Sequence, residues 1–201
     1  MTIIQATNPK TIDRAVRTAA ECLRTNGVIA APTDTVYGLI TAWSNEAGRR
    51  RIFQLKQRSS EKHLQMLASD LAMAEAAGLM IDERITALAH SCWPGALTII
   101  GRSREGGTLG VRVPDRSFVR ELLRQTGYPL AATSANLSGR PPALTARDAV
   151  HDLAGTPNLL VDGGSITNGQ ASTVVSLLDQ RLRVVREGMY SESDLLRVLG
   201  R

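Results

Sequence analysis

The stretch VIAAPTDTVYGLITAW, residues 28–43, consists of two apolar segments with a polar kink between them. β-Branched and apolar residues dominate both 28–33 and 36–43, a composition typical of buried strands. The kink carries threonine hydroxyls, among them that of Thr35, and the carboxylate of Asp34. Because strand ends in α/β sheets present polar groups to ligands, we interpret the kink as one wall of a binding crevice.

Helical and strand patterns alternate on either side of this stretch. Apolar residues recur with helical spacing over 11–26, which predicts a helix with Thr11 as its N-cap. Asn45 predicts the start of a second helix that runs to about Gln57, with Arg49, Arg50 and Arg51 on a solvated basic face. The further predicted strands are HLQMLAS, LTIIG, GVRVP, PLAATSAN, NLLVDGG, STVVSLLD and LRVVREG, and the further predicted helices cover 70–78, 82–92, 115–126, 145–153 and the C-terminal segment.

This alternation predicts an α/β fold, with an open, twisted, mixed sheet flanked by helices. The length of 201 residues favours one domain over residues 1–201. GRSREGGTLG, residues 101–110, is rich in glycine and polar residues, and we interpret it as a surface loop and candidate lid.

The composition indicates a partner with negative charge. The net charge is +5, and only Lys10, Lys56 and Lys62 of the 24 basic residues are lysines. An aromatic content of 3% argues against stacking on single-stranded nucleic acid. No apolar run approaches the roughly 20 residues needed to cross a bilayer, and two unpaired cysteines fit a reducing compartment, so we expect a cytoplasmic protein with no membrane partner.

Common nucleotide-binding and catalytic motifs are missing from the sequence. No lysine ends a GxxxxGK[ST] string, and GxGxxG, HExxH and GxSxG do not occur. Any nucleotide must therefore be held mainly by side chains and ordinary turns.

Three polar segments could hold a nucleotide in this way, namely PTDTVYGL (32–39), KQRSSEK (56–62) and TSANLSG (133–139). Lys56 and Arg58 suit phosphate, although a basic helix end is more often solvated. The hydroxyls and amide of the third segment suit phosphate or ribose oxygens, although such residues after a strand also form turns.

Taken together and in order, PTDTVYGL, KxR, WPGAL, VRVPD, PLAATSANLSG, DGG, STVV and VVREG resemble the YrdC-like family of threonylcarbamoyl-AMP synthases. The resemblance runs from about Val28 to Gly188. It implies a mainly parallel sheet around a positively charged cavity, without the second C-terminal domain of longer relatives. It also implies a nucleotidyltransferase that converts L-threonine, bicarbonate or CO2, and ATP into threonylcarbamoyl-adenylate and pyrophosphate, with Mg2+ assisting.

The resemblance also assigns site residues. It implies that Lys56 and Arg58 are catalytic. The implied ATP-binding residues are Lys56, Arg58, Lys62, Ser134, Asn136 and Arg186, and the implied threonine-binding residues are Thr35, Arg112 and Ser172. No metal-binding residue is assigned.

The chain departs from the family pattern after the KxR motif. Ser59 and His63 stand where many relatives have proline, which leaves that loop less restricted in φ. The implied partners are a downstream threonylcarbamoyl transferase and tRNA or double-stranded RNA. Two alternatives remain open: an RNA-binding or ribosome-associated protein without synthase activity, and a paralogue that acts on another small molecule.

Overall fold

A computed structural model of the protein describes residues 1–59, 63–167 and 169–200. In this part of the chain ten strands form one sheet. The strands are β1 (Thr2–Gln5), β2 (Ile29–Pro32), β3 (Tyr37–Ala42), β4 (Gln65–Leu67), β5 (Leu97–Arg102), β6 (Thr108–Arg112), β7 (Leu130–Ser134), β8 (Leu159–Asp162), β9 (Thr173–Ser176) and β10 (Arg183–Arg186). The helices are α1 (Pro9–Arg24), α2 (Glu46–Lys56), α3 (Leu71–Ala76), α4 (Glu83–Cys92), α5 (Ser117–Thr126), α6 (Asp148–His151) and α7 (Glu192–Val198).

The order of the strands across the sheet is β1-β8-β2-β3-β7-β4-β6-β5-β9-β10. The predicted mixed sheet is confirmed, but the expectation that it is mainly parallel is wrong. Of the nine pairings among the described strands, four are parallel and five are antiparallel. The pairs β2/β3, β5/β6 and β9/β10 follow each other without an intervening helix, and strands joined by short loops must run antiparallel.

Both faces of the sheet carry helices. Helices α1 and α5 bury Leu23 and Leu122 with Leu67 of β4, whereas α4 buries Leu88 with the adjacent residue Met66. Because neighbouring residues of a strand point to opposite faces, these two clusters lie on opposite sides of the sheet. Gln65 shares the face of Leu67 but lines a cavity instead of contacting a helix, so part of this face remains open.

Helix α1 begins three residues earlier than a cap at Thr11 predicts. Its N-cap is Asn8, whose Oδ1 accepts a hydrogen bond from the backbone N–H of Thr11 at 3.1 Å. The Thr11 hydroxyl accepts in return from the backbone N–H of Asn8. The prediction of Thr11 as the cap is therefore wrong, because Thr11 occupies the third position of a reciprocal capping box that opens at Pro9. The predicted cap Asn45 of α2 is confirmed.

Three other segments differ from their predictions. Strand β1 has no counterpart among the predicted elements. The candidate lid at 101–110 mostly belongs to the β5/β6 hairpin, because Arg102 pairs with Thr108 and the connection is limited to 103–107. The helix predicted over 145–153 is reduced to the single turn α6.

None of the helices in the described part of the chain combines the length and apolar character needed to cross a bilayer.

Candidate functional site

A cavity of about 870 Å³ lies on the open part of the sheet face. The alternation of residues along β5 shows how the sequence builds it. Thr98 and Ile100 line the cavity, while Leu97 and Ile99 point into the core on the other side. Strand pleating thus gives this strand one apolar face and one face toward a ligand.

Arginines dominate the charged groups of the cavity wall: Arg49, Arg50, Arg58, Arg112, Arg140 and Arg186. Glu46 supplies a carboxylate among the described lining residues. The predicted solvated face is confirmed for Arg50 and Arg51, which are exposed, whereas Arg49 is half-buried with its guanidinium over the ring of Trp43, 5.5 Å from the centroid.

Arg58 is held by the strand beside it and by its own loop. Its Nη1 donates to the Thr133 hydroxyl at 2.9 Å, and its Nη2 donates to the His63 carbonyl at 3.1 Å. Its Nε is buried and has no hydrogen-bond partner among the described residues. Burial and the nearby Arg186 cation lower the pKa of Arg58. The side chain is therefore fixed in place while one donor remains unsatisfied.

Lys56 is 2% exposed and lies behind the cavity wall. Its Nζ donates to the backbone carbonyl of Asn136 at 2.6 Å and to that of Ser134. Burial and the nearby Arg58 cation lower the pKa of Lys56 to about 8. These bonds tie the end of α2 to the loop that follows β7.

Ser134 and Asn136, both predicted ATP contacts, line the cavity at this loop. The Asn136 amide donates to the carbonyls of Leu137 at 2.9 Å and Arg140 at 2.6 Å, which closes the turn over 136–140. Lys62, also a predicted ATP contact, lies outside the described residues.

Arg112, at the end of β6, is also 2% exposed and is held on three sides. Its Nη1 donates to the Thr35 hydroxyl at 2.9 Å, its Nε donates to the Gly95 carbonyl at 3.1 Å, and its Nη2 pairs with the Asp34 carboxylate. Burial lowers the pKa of Arg112, and the Asp34 charge opposes that shift. The polar kink of the opening stretch thus meets a cation from a distant strand.

Ser172 and Arg186 lie on the far side of the cavity. Arg186 donates to the Ser172 carbonyl at 2.9 Å and to its hydroxyl at 3.0 Å. Burial and the Arg112 cation lower the pKa of Arg186. Gly188 permits this approach, because a Cβ there would lie 2.4 Å from the Ala171 carbonyl oxygen. This close approach explains the glycine in VVREG.

The structure brings eight of the nine predicted site residues to one region, and it adds residues that the sequence does not single out as site residues. The sequence places Asp34 only in the polar kink and Thr133 only in the segment TSANLSG, and it carries no signal for Gln65 and Thr98. Each of these side chains bonds to a predicted site residue or to another member of the wall.

Fold and site together define an open, mixed α/β sheet protein with an arginine-lined cavity on one sheet face. The chain belongs to the Sua5/YciO/YrdC family, because the family model described as Telomere recombination matches residues 21–188. It is 34% identical to the threonylcarbamoyl-AMP synthase of Bacillus subtilis over 200 residues, which covers 94% of this chain and 58% of the relative.

Two solved structures share the fold. P. abyssi Sua5 complexed with L-threonine superposes with a TM-score of 0.91 at 29% identity, covering 100% of this chain and 61% of that one. E. coli YciO superposes with a TM-score of 0.80 at 26% identity, covering 94% and 96%. The chain thus spans about three fifths of the length of the Bacillus and P. abyssi proteins that it matches.

Proposed function

We propose that this chain is a threonylcarbamoyl-AMP synthase, a nucleotidyltransferase that makes L-threonylcarbamoyladenylate and pyrophosphate from L-threonine, bicarbonate or CO2, and ATP. The observation that carries the proposal is the grouping of Arg58, Arg112 and Arg186 around one cavity, with the pKa of each lowered by burial. An anionic ligand offsets the cost of bringing like charges together. The names of the relatives supply the reaction.

The three arginines define two binding regions, one for the phosphates of ATP and one for the amino acid. Arg58 and Arg186 bind the phosphates, since the Arg186 cation is close enough to lower the pKa of Arg58. Within the described residues, Arg112 is the one of the three that is paired with a carboxylate. Arg112 binds the threonine carboxylate, and the hydroxyls of Thr35 and Ser172 bind its remaining polar groups. The structure of P. abyssi Sua5 complexed with L-threonine supports L-threonine as a substrate.

Lys56 acts on the nucleotide through the loop that it holds. Both carbonyls that accept from its Nζ belong to Ser134 and Asn136, and both of these residues line the cavity. Nζ has a third N–H donor and lies 3.3 Å from Asn136 Oδ1, so a direct contact with the triphosphate would require it to exchange that side-chain oxygen for a phosphate oxygen.

The reaction needs two charged reactants to meet. The threonine amine adds to CO2 and loses a proton, giving a carbamate whose oxygen forms a bond to the α-phosphorus while the bond to the pyrophosphate oxygen breaks. Fixed guanidinium groups stabilise the charge that develops at phosphorus without reorganising. The described residues contain no cluster of three or more His, Cys, Asp or Glu side chains. We therefore expect Mg2+ to enter with ATP, held by phosphate oxygens and water.

The experiment is a pyrophosphate-release assay with each substrate omitted in turn. We expect pyrophosphate only when ATP, L-threonine and bicarbonate are all present, together with a labelled adenylate from labelled bicarbonate. ADP as the stoichiometric product would contradict the proposal. Absence of any turnover would favour the RNA-binding alternative or the paralogue. The product would pass to a threonylcarbamoyl transferase that modifies tRNA.

A further inference from the structure

Four polar side chains that line the cavity form a continuous hydrogen-bond network. Arg186 Nη2 donates to Ser172 Oγ at 3.0 Å, Ser172 Oγ lies 2.9 Å from Thr98 Oγ1, and Thr98 Oγ1 donates to Gln65 Oε1 at 3.1 Å. Ser172 and Thr98 are 2% and 3% exposed. The network therefore crosses the floor of the site from β10 to β4.

Counting the available protons shows which group donates in each hydrogen bond of the network. A guanidinium can only donate, so Ser172 Oγ accepts from Arg186. The single hydroxyl proton of Thr98 goes to Gln65, so Thr98 has none left for Ser172. The bond between the two hydroxyls must then be donated by Ser172. With its proton and one lone pair used, Ser172 can offer the cavity only an acceptor.

Thr35 on the opposite wall also accepts from a cation, Arg112, at 2.9 Å. The neighbouring Thr33 hydroxyl donates its proton to the Val36 carbonyl at 2.7 Å and accepts from the backbone N–H groups of Thr35 at 3.1 Å and Val36 at 3.2 Å. Both lone pairs of Thr33 are thus used, so Thr33 does not fix the Thr35 proton in the way that Thr98 fixes the proton of Ser172.

We infer that Thr98 and Gln65 are positioning residues that fix Ser172 as a hydrogen-bond acceptor for an N–H or O–H group of the amino-acid substrate. The inference rests on the proposed function and adds two residues to it. Removing the Thr98 hydroxyl takes away the acceptor for the Ser172 proton. Removing the Gln65 acceptor frees the Thr98 proton to turn toward Ser172. In both cases the Ser172 proton is redirected toward the substrate donor.

The test compares steady-state constants for Thr98→Val, Thr98→Ser and Gln65→Leu. Losing one oriented hydrogen bond should raise the KM for threonine about tenfold in Thr98→Val and Gln65→Leu. The KM for ATP should change much less, and Thr98→Ser should restore wild-type behaviour because it keeps the hydroxyl.

Thr41→Val is the matched control. Thr41 is as buried as Thr98, and its hydroxyl bonds to the Gly27 carbonyl at 2.9 Å and accepts from Asn45 at 3.0 Å, away from the cavity lining. We expect it to lower stability without changing the KM for threonine.

Three results would overturn the inference. The first is a rise in the KM for threonine of less than about threefold in Thr98→Val and Gln65→Leu. The others are an equal rise in Thr41→Val and a Thr98→Ser variant whose KM for threonine differs from that of the wild type. The wild-type protein separates this inference from the proposed function. If the wild type turns over and Thr98→Val has an unchanged KM for threonine, only this inference is overturned. If the wild type releases no pyrophosphate, both this inference and the proposed function are contradicted.

Discussion

Lys56 donates from Nζ to the backbone carbonyl of Asn136, 2.6 Å away, and so joins the end of helix α2 to a loop 80 residues further along the chain. The sequence places this lysine next to Arg58 and suggests that both bind the triphosphate. The structure separates them, because Arg58 lines the cavity whereas Lys56 is buried behind its wall.

The first prediction concerns Lys56 and pH. Its pKa is about 8 in the folded protein and 10.5 without these interactions, so the unfolded chain binds more protons between these values. Stability should therefore rise with pH across this window, by at most about 1.4 kcal/mol per unit. Urea unfolding at pH 8 to 10 should show this rise in the wild type and a flatter profile in Lys56→Met. Parallel profiles would contradict it.

The second prediction concerns Arg58, whose side chain lines the cavity. Arg58→Ala should fold normally and lose about 100-fold or more in pyrophosphate release, because a contact to developing charge contributes about 2.7 to 4 kcal/mol. Arg58→Lys should recover only part of the rate, since one point charge cannot replace a fork that also holds Thr133. The exposed Lys10→Ala is the control and should be silent. Wild-type turnover in Arg58→Ala would show that the phosphate site lies elsewhere.

The third prediction uses the buried pair of Arg112 and Asp34. Arg112→Ala leaves a carboxylate that is 13% exposed without its partner, so unfolding free energy should fall by about 3 kcal/mol. The double variant Arg112→Ala/Asp34→Ala should recover part of that stability in urea unfolding. Calorimetry should nevertheless show that neither variant binds threonine as the wild type does. If the double variant binds threonine normally, Arg112 does not bind its carboxylate.

The fourth prediction concerns Tyr37, which lies in the polar segment PTDTVYGL. Tyr37 is fully buried, and its hydroxyl donates to the Gly164 carbonyl at 2.7 Å and accepts from the Gly163 N–H at 3.2 Å. Tyr37→Phe should lower the unfolding free energy by about 1 to 3 kcal/mol because these groups lose their partner. The KM values should stay within about twofold, and a larger change in either would indicate a direct role in the site.

Much of the fold follows from local patterns. The strand LTIIG, the cap of α2 at Asn45 and the helix α4 depend on residues close in sequence, and each is confirmed. Errors arise where two nearby residues can each cap a helix, as Asn8 and Thr11 can, or where strand direction must be inferred. The expectation of a mainly parallel sheet came from the family resemblance. The short connections between β2 and β3 and between β5 and β6 instead require antiparallel pairs.

By itself the sequence determined the type of fold, the family and a central set of the polar residues that meet at the cavity, because their order along the chain carries that information. Only the tertiary structure decided what each side chain does there. Arg112 pairs with Asp34 across 78 positions, and Ser172 meets Thr98 across 74. Partners so far apart are chosen by the packing of strands. The donors and acceptors that meet then set the direction of each hydrogen bond, and burial lowers the pKa of each cation.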